Sequence, residues 1–344
     1  MLKVGIVGCG GIATVHAAAL VQMKEVQLTA FADIKKERAD AFQAKYGVDG
    51  AGSYASLEEM LEESGIESLH ICTPHYLHVP MAVAALKRGI HVFMEKPPAI
   101  TREQFAELKA ASEESKARLG ICFQNRYNAT TKKVDELLAS EEVGSVLGAR
   151  AFVTWNRQKA YYTESGWRGS LATEGGGALI NQSVHTLDLL VRWLKQPVET
   201  EATMSNHHLK GIIEVEDALE AFIRFRTDGK DTLACFYATT AYMQDCPVII
   251  ELACEHATIR LEDTQVSCKY QDGRQDLYSC VKANIPGKSY WGAGHADCIA
   301  DFYDCVETGR EYGNDLPHIE HTLHAMMDIY ESAREHKVVK FPTL

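Results

Sequence analysis

Residues 4–13 read VGIVGCGGIA, an apolar run that passes through closely spaced glycines into a second apolar stretch. The spacing Gly8-x-Gly10-x-x-Ala13 is typical of a strand that turns sharply into a helix. The first glycine permits the tight turn, the second lets the backbone approach a pyrophosphate, and a small third residue allows close helix packing. Phosphate then binds the unpaired N–H groups where the helix begins. The stretch predicts a dinucleotide-binding turn with these cofactor contacts: Gly8, Gly10, Gly11, Ile12 and Ala13.

An acidic residue follows at the distance that this turn requires. Asp33 comes 20 residues after Ala13, at the end of the second predicted strand. Its carboxylate accepts hydrogen bonds from a ribose diol and repels a 2′-phosphate, so the sequence predicts NAD as the cofactor. NADP stays open as the less favoured alternative because three basic residues come close behind, although a solvated helix face also explains them: Lys35, Lys36 and Arg38.

Short apolar runs alternate with helical patterns through the first third of the chain. The predicted strands are 3–7, 26–32, 68–72, 91–94 and 119–123, and the predicted helices are 12–23, 35–46, 57–63, 79–88 and 102–116. Two helices have start signals, Ser56-x-x-Glu59 and Thr101-x-x-Gln104, and Gly89 is a stop signal. Alternating strands and helices predict an α/β fold: a Rossmann domain with a doubly wound parallel sheet over residues 1–123.

The pattern changes after residue 124. A helix over 130–140 leads to a long strand, 145–155, and a glycine-rich loop then opens a helix over 180–193. Strands next follow one another directly at 218–227, 232–241, 248–254, 257–262 and 265–270, before helices at 296–308 and 319–335 and a tail that pairs on a sheet edge. Short turns between strands predict a large, mainly antiparallel open sheet. Residues 124–344 are therefore predicted to form a second α/β domain for substrate binding and oligomerisation.

Composition excludes several classes of protein. The 344 residues are 46% hydrophobic and 24% charged, which is ordinary globular usage and too apolar for a disordered chain. The net charge of −12 disfavours binding to nucleic acid or to an anionic membrane surface, and no apolar run is long enough to span a bilayer. The ten cysteines contain no CxxC pair, so we expect free thiols, no metal site and a cytoplasmic location.

Two further motifs follow predicted strands, at the strand ends where ligands bind in open parallel sheets. The first is Thr73-Pro74-His75-Tyr76-Leu77-His78 and the second is Glu95-Lys96-Pro97-Pro98. Together with the glycine turn and the segment GGGALINQSVHTLD at 175–188, they resemble the Gfo/Idh/MocA family of sugar and polyol oxidoreductases. The resemblance extends over nearly the whole chain. It adds these residues to the predicted cofactor site: Thr73, Pro74, His75, His78, Glu95 and Lys96.

The same resemblance implies the catalytic residues. Lys96 corresponds to the catalytic lysine, with a cis bond before Pro97, and partial desolvation would lower its pKa so that it shares a proton with a substrate hydroxyl. His185 corresponds to the histidine that serves as base or proton relay. Many relatives carry aspartate where this chain has Asn181, which shifts the base role to His185 or Lys96 and leaves Asn181 to orient the substrate. Asp188 is interpreted as a packing or hydrogen-bonding residue.

Aromatic and basic residues are concentrated in two glycine-containing loops. Aromatic faces pack against the C–H faces of sugar rings, and arginine, asparagine and histidine bind hydroxyls, so we predict a substrate pocket. Tyr290 and Trp291 belong to the second loop. The predicted substrate-binding residues are Arg126, Tyr127, Trp155, Tyr162, Trp167, Arg168, Asn181, His185 and His295.

The sequence therefore predicts an NAD-dependent oxidoreductase that transfers a hydride between nicotinamide and a carbinol carbon of a sugar, at C3 of a pyranoside. One alternative is an NAD-dependent glycoside-cleaving enzyme that oxidises, eliminates and then re-reduces with the same NADH. An inositol or polyol dehydrogenase and a non-catalytic cofactor-sensing protein are further alternatives. The resemblance also implies a homodimer or homotetramer assembled through the C-terminal sheet.

Overall fold

The structure is a computed structural model and describes residues 1–280 and 294–342. The described residues form two compact units, one comprising 1–124 with 294–318 and the other comprising 125–280 with 319–342. Residues 294–318 are thus part of the first unit although they follow most of the second in sequence. The predicted assignment of NAD binding to 1–123 and of substrate binding and oligomerisation to 124–344 stays a prediction.

The first unit begins with strands and helices in strict alternation. Its elements are β1 (Leu2–Val7), α1 (Gly11–Leu20), β2 (Val26–Ala32), α2 (Lys36–Tyr46), β3 (Gly52–Tyr54), α3 (Leu57–Glu63), β4 (Ser68–Ile71), α4 (His78–Leu86), β5 (His91–Glu95), α5 (Arg102–Glu114) and β6 (Leu119–Cys122). The helix start signals are confirmed: Ser56 accepts a hydrogen bond from the Glu59 N–H, and Thr101 accepts one from the Gln104 N–H. Gly89 has φ = 73° just after α4, as the predicted stop signal requires.

These strands form a six-stranded sheet of described residues in the order β3-β2-β1-β4-β5-β6, with every pair parallel. The chain reverses its direction of winding between β3 and β4, so β1 lies between β2 and β4 at the switch point. Strands β4, β5 and β6 are almost entirely buried, which explains their continuous apolar runs. The predicted doubly wound parallel sheet is confirmed, and the carboxyl ends of its strands lie along one edge.

The second unit begins with α6 (Ala129–Ala139), β7 (Val146–Thr154), α7 (Lys159–Thr163) and a π-helical segment, Ala178–Ser183, that leads into α8 (Val184–Leu194). Its strands continue as β8 (Gln196–Ser205), β9 (Ala218–Thr227), β10 (Lys230–Thr239), β11 (Ile249–Cys254), β12 (Ala257–Glu262), β13 (Gln265–Tyr270) and β14 (Gln275–Ser279). Farther along the chain, α9 (His295–Thr308) belongs to the first unit, and α10 (Leu316–Glu335) and β15 (Val339–Lys340) follow it.

A nine-stranded sheet of described residues, in the order β14-β13-β12-β11-β7-β10-β9-β8-β15, dominates the second unit. Among the strands that the structure describes, β7 and β10 pair in parallel and the other neighbours pair antiparallel. The prediction of a large, mainly antiparallel sheet is therefore confirmed, as is the pairing of the tail on its edge. Within 1–280 and 294–342, we find no helix of the length and apolarity needed to cross a membrane.

Candidate functional site

The glycine turn and the predicted ribose carboxylate are bonded to each other. Oδ2 of Asp33 accepts a hydrogen bond of 2.9 Å from the N–H of Cys9, which lies between the first two glycines of the turn. Oδ1 of Asp33 accepts a second bond, 2.8 Å, from the N–H of Lys35. Two backbone donors thus fix this buried carboxylate at the end of β2, beside the turn that follows β1.

The glycines of this turn are needed for different reasons. Gly8 has φ = +85°, and a Cβ there would lie 2.8 Å from the backbone carbon and oxygen of Cys72. A Cβ on Gly10 or Gly11 would meet no heavy atom of the described residues within 4 Å. Gly8 is therefore required by the fold, whereas Gly10 and Gly11 border open space.

These observations fit a dinucleotide. Among the described residues, no side chain caps the start of α1, so its first N–H groups are left for an anion. Asp33 then supplies an acceptor for ribose hydroxyls. The exposed side chain of Lys36 bonds to Asp40 and Ser53, which supports its interpretation as part of a solvated helix face.

The carboxylate before the predicted catalytic lysine ends a chain of buried polar groups. Glu95 accepts a hydrogen bond of 3.0 Å from Nε2 of His16, whose Nδ1 lies 2.8 Å from Nδ1 of His70. Nε2 of His70 lies 2.9 Å from the hydroxyl of Tyr303 in α9, and that hydroxyl lies 3.0 Å from Oγ of Ser68. Burial lowers the pKa of His70 well below its usual value, so this ring is neutral. The chain joins α1, β4 and α9 to the end of β5.

Charge at Glu95 is strongly favoured. Burial by itself would raise the pKa of this carboxyl, but the hydrogen bond from His16 and the neighbouring His295 and Lys96 hold the pKa well below its usual value. Nε2 of His295, the first residue of α9, lies 3.8 Å from Oε1 of Glu95. His295 was predicted to bind substrate, and the structure places it in the first unit beside this carboxylate.

Lys96 lies at the carboxyl end of β5 and is partly exposed, and its peptide bond to Pro97 is cis, as the resemblance implies. The adjoining backbone is held by His78, whose Nδ1 lies 2.7 Å from the carbonyl of Pro97 and whose Nε2 lies 2.9 Å from the carbonyl of Thr73. The fully buried His78 therefore ties together the segments that follow β4 and β5. Contacts of Thr73, His75 and His78 with a cofactor stay predictions.

The segment around Asn181 differs from its prediction. The sequence predicts one α-helix over 180–193, and such a helix would place Asn181 and His185 on one face because they are four residues apart. Residues Ala178–Ser183 are π-helical, and α8 begins only at Val184, so the four-residue spacing does not establish a shared face. His185 is buried in the first turn of α8.

The triple glycine before this segment packs against protein atoms. A Cβ on Gly176 would lie 2.1 Å from the hydroxyl of Tyr330, and one on Gly177 would lie 2.1 Å from the carbonyl oxygen of Glu216. The buried Glu216 side chain accepts hydrogen bonds from the N–H groups of Gly177 and Leu179, each 2.9 Å, and from the Tyr330 hydroxyl, 2.8 Å. The space next to Gly176 and Gly177 is therefore taken by Tyr330 and Glu216.

Glu174, directly before the triple glycine, is a buried carboxyl absent from the predicted site. Its Oε2 accepts a hydrogen bond of 2.5 Å from the Gly169 N–H, and its Oε1 accepts one from the side-chain amide of Asn181. Burial raises the pKa of Glu174 to about 7, and the hydrogen bonds from Gly169 and Asn181 and the charge of Arg168 oppose that rise. Glu174 therefore titrates close to neutral pH beside a predicted substrate-binding residue.

Residues 155–177, the aromatic loop, connect β7 to the π-helical segment and include both side chains in cation–ring contact and side chains of the core. The guanidinium of Arg168 lies 4.4 Å from the ring centroid of Tyr161 and 4.8 Å from that of Trp167. Tyr162, in contrast, packs in an apolar cluster with Leu209, Ile213 and Val215. Trp155 is also buried, and its indole N–H donates to the carbonyl of Cys246 at 3.2 Å. Contact with substrate stays a prediction for Trp155, Tyr162, Trp167 and Arg168.

Arg126 and Tyr127 lie in a single helical turn, Gln124–Tyr127. Nε and Nη2 of Arg126 bond to the two oxygens of Asp188 at 2.8 and 2.6 Å, and both side chains are largely buried. Thr322 donates a further bond of 2.8 Å to Asp188. Asp188 is thus a hydrogen-bonding residue, as expected, while binding of substrate by Arg126 and Tyr127 stays a prediction. Tyr290 and Trp291 lie outside the described residues.

Several site-building residues were missed by sequence reasoning. His16 and His70 interrupt apolar runs, and Glu216 stands at the start of an alternating strand pattern. A charged or imidazole group inside an apolar run is a signal of a buried, paired side chain. Glu174 and Tyr330 carry no such signal, because their partners are fixed only by the tertiary fold.

A parallel sheet with a glycine turn, a fixed ribose carboxylate and a lysine at one strand-end edge defines an NAD-binding Rossmann protein. Residues 2–123 match the family model "Oxidoreductase family, NAD-binding Rossmann fold", and residues 131–260 match "GFO/IDH/MocA C-terminal domain". The chain belongs to the GFO/IDH/MocA oxidoreductase family.

Two curated relatives are similar to part of the chain. Glucose-6-phosphate 3-dehydrogenase of Bacillus subtilis (strain 168) is 29% identical over 194 residues, which are 55% of this chain and 53% of the relative. D-glucoside 3-dehydrogenase of Escherichia coli (strain K12) is 30% identical over 190 residues, 54% of this chain and 52% of the relative. The chain thus spans about half the length of these relatives.

A solved structure is similar over almost the full length. It is the WlbA dehydrogenase from Bordetella pertussis in complex with NADH and UDP-GlcNAcA, with a TM-score of 0.85 and 27% identity over 99% of each chain.

Proposed function

We propose that this protein is an NAD-dependent oxidoreductase that removes a hydride from a carbinol carbon of a sugar, at C3 of a pyranoside. The observation that carries the proposal is the grouping at one edge of the first sheet. The glycine turn follows β1, Asp33 follows β2 and Lys96 follows β5, where open parallel sheets bind their ligands.

The sugar assignment is supported by what similar proteins are named for. Two curated relatives are 3-dehydrogenases of glucose 6-phosphate and of D-glucosides, and a similar structure holds a nucleotide sugar acid with NADH. In this chain, the Arg168 guanidinium lies over the rings of both Tyr161 and Trp167, which places a cation next to two aromatic faces. Aromatic rings next to hydrogen-bond donors suit a pyranose.

In the proposed reaction the carbinol C–H bond breaks with its electron pair, and the hydroxyl proton leaves separately. When bound, the nicotinamide supplies the acceptor for the hydride. We assign removal of the hydroxyl proton to Lys96 and His185. A lysine accepts a proton only when it is neutral, so this role requires the neutral amine of Lys96 to share the proton of the substrate hydroxyl.

We assign binding of the cofactor's ribose hydroxyls to Asp33. Asp33 is held by the N–H groups of Cys9 and Lys35, which leaves its remaining lone pairs for the ribose hydroxyls. A 2′-phosphate at that place would meet a buried carboxylate. NAD is therefore the proposed cofactor, in preference to NADP.

We also propose that copies of the chain associate through the open face of the nine-stranded sheet. Phe222 on β9 and Leu233 on β10 have 56% and 53% of their surface exposed. Phe222 pairs with Cys235, two residues from Leu233, so both lie on one face. Light scattering on a sizing column is expected to show a dimer or tetramer, and Phe222→Ser with Leu233→Ser is expected to give monomers. Unchanged assembly in the double variant would contradict this assignment.

The reaction is tested by incubating the purified protein with NAD and, separately, equal concentrations of methyl β-D-glucopyranoside and myo-inositol. NADH absorbance is followed together with assays for a 3-keto sugar and for released methanol, because NADH that is consumed again by the enzyme escapes the absorbance measurement. We expect faster NADH or 3-keto sugar formation from the glucoside. Methanol without NADH would indicate glycoside cleavage, and reaction of myo-inositol alone would refute the pyranoside assignment.

A further inference from the structure

The carboxylate of Glu174 connects two segments of the second unit. Its Oε2 accepts the N–H of Gly169, which directly follows Arg168, and its Oε1 accepts the side-chain amide of Asn181. Gly169 is a backbone donor in a turn with φ = +83°, so its position is fixed by the chain. Asn181 donates through its side-chain amide, and rotation of that amide exchanges the positions of its NH₂ group and Oδ1.

This contact determines which end of the Asn181 amide faces Glu174. A carboxylate only accepts hydrogen bonds, so the edge of the amide turned towards it must be the NH₂ group. The same Nδ2 atom also donates to the hydroxyl of Tyr161, 3.5 Å away, so both of these contacts are made by the NH₂ group of the amide. Oδ1 is therefore presented on the opposite edge of the amide, where it acts as an acceptor.

We propose that Glu174 is a positioning residue that, in its ionised form, holds Asn181 with Oδ1 turned towards a hydroxyl of the substrate. The proposal rests on the sugar-oxidising function proposed above and assigns the orientation of one group in that site. The amide of Asn181 then accepts a hydrogen bond from the substrate hydroxyl, and the negative charge that orients this amide comes from Glu174.

Protonation of Glu174 would reverse the arrangement. A neutral carboxyl has one carbonyl oxygen, which stays with the immovable Gly169 N–H, and one O–H, which must donate. Asn181 would then turn Oδ1 to Glu174 and NH₂ to the substrate. The NH₂ group of Asn181 cannot accept a hydrogen bond from the substrate hydroxyl, so this orientation disfavours loss of the hydroxyl proton. The pKa of Glu174 near 7 places this change in the physiological range.

The groups around Glu174 shift its pKa in opposite directions. Burial is the largest influence on its pKa and favours the neutral form, and the negative charge of Glu216 adds to it. Arg168 and the two hydrogen bonds favour the ionised form. The phenols of Tyr162 and Tyr330 also interact electrostatically with Glu174, and burial raises the pKa of each, so both are neutral near pH 7. Burial also raises the pKa of Glu216, so a change of charge at Glu174 itself is identified by its loss in the variant Glu174→Gln.

The variant Glu174→Gln reproduces the neutral arrangement without changing size. The amide oxygen of glutamine must accept the Gly169 N–H, which leaves its NH₂ facing Asn181 and forces the same rotation. We measure kcat and KM with NAD and methyl β-D-glucopyranoside from pH 5.5 to 9. For the wild type, kcat/KM is expected to fall below an apparent pKa of about 7. Glu174→Gln is expected to lower kcat/KM roughly 10- to 100-fold and to remove that pH dependence.

A double-variant cycle separates positioning from general support of the fold. If Glu174 acts through Asn181, Glu174→Gln in an Asn181→Ala background changes kcat/KM by less than about twofold. An undiminished effect in that background would overturn the proposal, because the effect would then not be transmitted through Asn181. The double variant Asn181→Asp with Glu174→Gln transfers the carboxylate from position 174 to position 181. We expect its kcat/KM to be higher than that of either single variant. The matched control Glu136→Gln, on an exposed helix face, is expected to behave as wild type.

A measurement without turnover distinguishes failure of this proposal from failure of the proposed function. The side-chain ¹⁵N and ¹H resonances of Asn181, assigned by their loss in Asn181→Ala, are followed between pH 5.5 and 9. They are expected to shift with a midpoint near 7 in the wild type and to stay constant in Glu174→Gln. An amide that ignores pH in the wild type overturns the proposal even if sugars are oxidised. A titrating amide with no sugar oxidised supports the coupling and overturns the proposed function.

Discussion

Alanine at two glycines of the nucleotide turn is expected to separate stability from cofactor binding. Gly8 has φ = +85°, and its added Cβ would lie 2.8 Å from backbone atoms of Cys72. The left-handed conformation costs about 1–2 kcal/mol for alanine, and overlap with an immovable backbone adds about 1–3 kcal/mol. Gly8→Ala should therefore destabilise the first unit by about 2–5 kcal/mol.

Gly10 has φ = −98° and ψ = −163°, an extended conformation that alanine adopts readily, and its Cβ would meet no described heavy atom within 4 Å. Gly10→Ala should leave stability unchanged or raise it by up to about 1 kcal/mol, because the unfolded chain loses freedom. A methyl group in the space assigned to the pyrophosphate should weaken NAD binding by about 1.4 kcal/mol or more, which is tenfold or more in Kd.

Urea unfolding followed by circular dichroism measures the first effect, and titration calorimetry with NAD measures the second. We expect Gly8→Ala to lower the unfolding midpoint strongly, and Gly10→Ala to raise the Kd for NAD while leaving the midpoint unchanged or slightly higher. Unchanged NAD affinity in Gly10→Ala would refute the placement of the cofactor at this turn. Wild-type stability in Gly8→Ala would refute the steric reasoning.

Three further variants test the proposed roles of Lys96 in catalysis, of Asp33 in cofactor preference and of Tyr303 in stability. Lys96→Ala is expected to keep the Kd for NAD within a few-fold while lowering kcat roughly 100-fold or more, measured by parallel calorimetry and steady-state rates; near-normal turnover would remove Lys96 from the proposed chemistry. Fluorescence titration is expected to give NAD a Kd at least about tenfold lower than that of NADP, and Asp33→Ala is expected to reduce this preference. Tyr303→Phe leaves the buried partners His70 and Ser68 without the phenol hydroxyl that joins them, so a loss of about 1–3 kcal/mol is expected in urea unfolding.

Much of the fold could be predicted because it is encoded locally. The bounds of β2 and α3 match their predictions, since the period of the apolar residues and the Ser56 start signal are properties of neighbouring residues. Strand β3 was missed because three half-buried residues at a sheet edge carry too little pattern. The same holds for the five-residue helix α7 inside the aromatic loop.

The site was predictable only where its residues follow strand ends. Asp33 is identified by its distance from the glycine turn, and Lys96 is identified by the strand before it and by the family resemblance of its motif. The partners of the triple glycine are distant in sequence: Tyr330 donates to Glu216 across 114 residues, and only the fold brings them together. The π-helical segment before α8 was likewise hidden, because its sequence also satisfies an α-helical pattern.

In the proposed reaction a hydride moves from C3 of a pyranoside to NAD. Methyl β-D-glucopyranoside that carries deuterium at C3 is incubated with NAD and the purified protein to follow this transfer. Mass spectrometry of the recovered cofactor is predicted to show NADH heavier by one deuterium, with the rate reduced relative to unlabelled glucoside. NADH formed without deuterium would place the oxidation at another carbon, and the absence of both NADH and a 3-keto sugar would contradict the account.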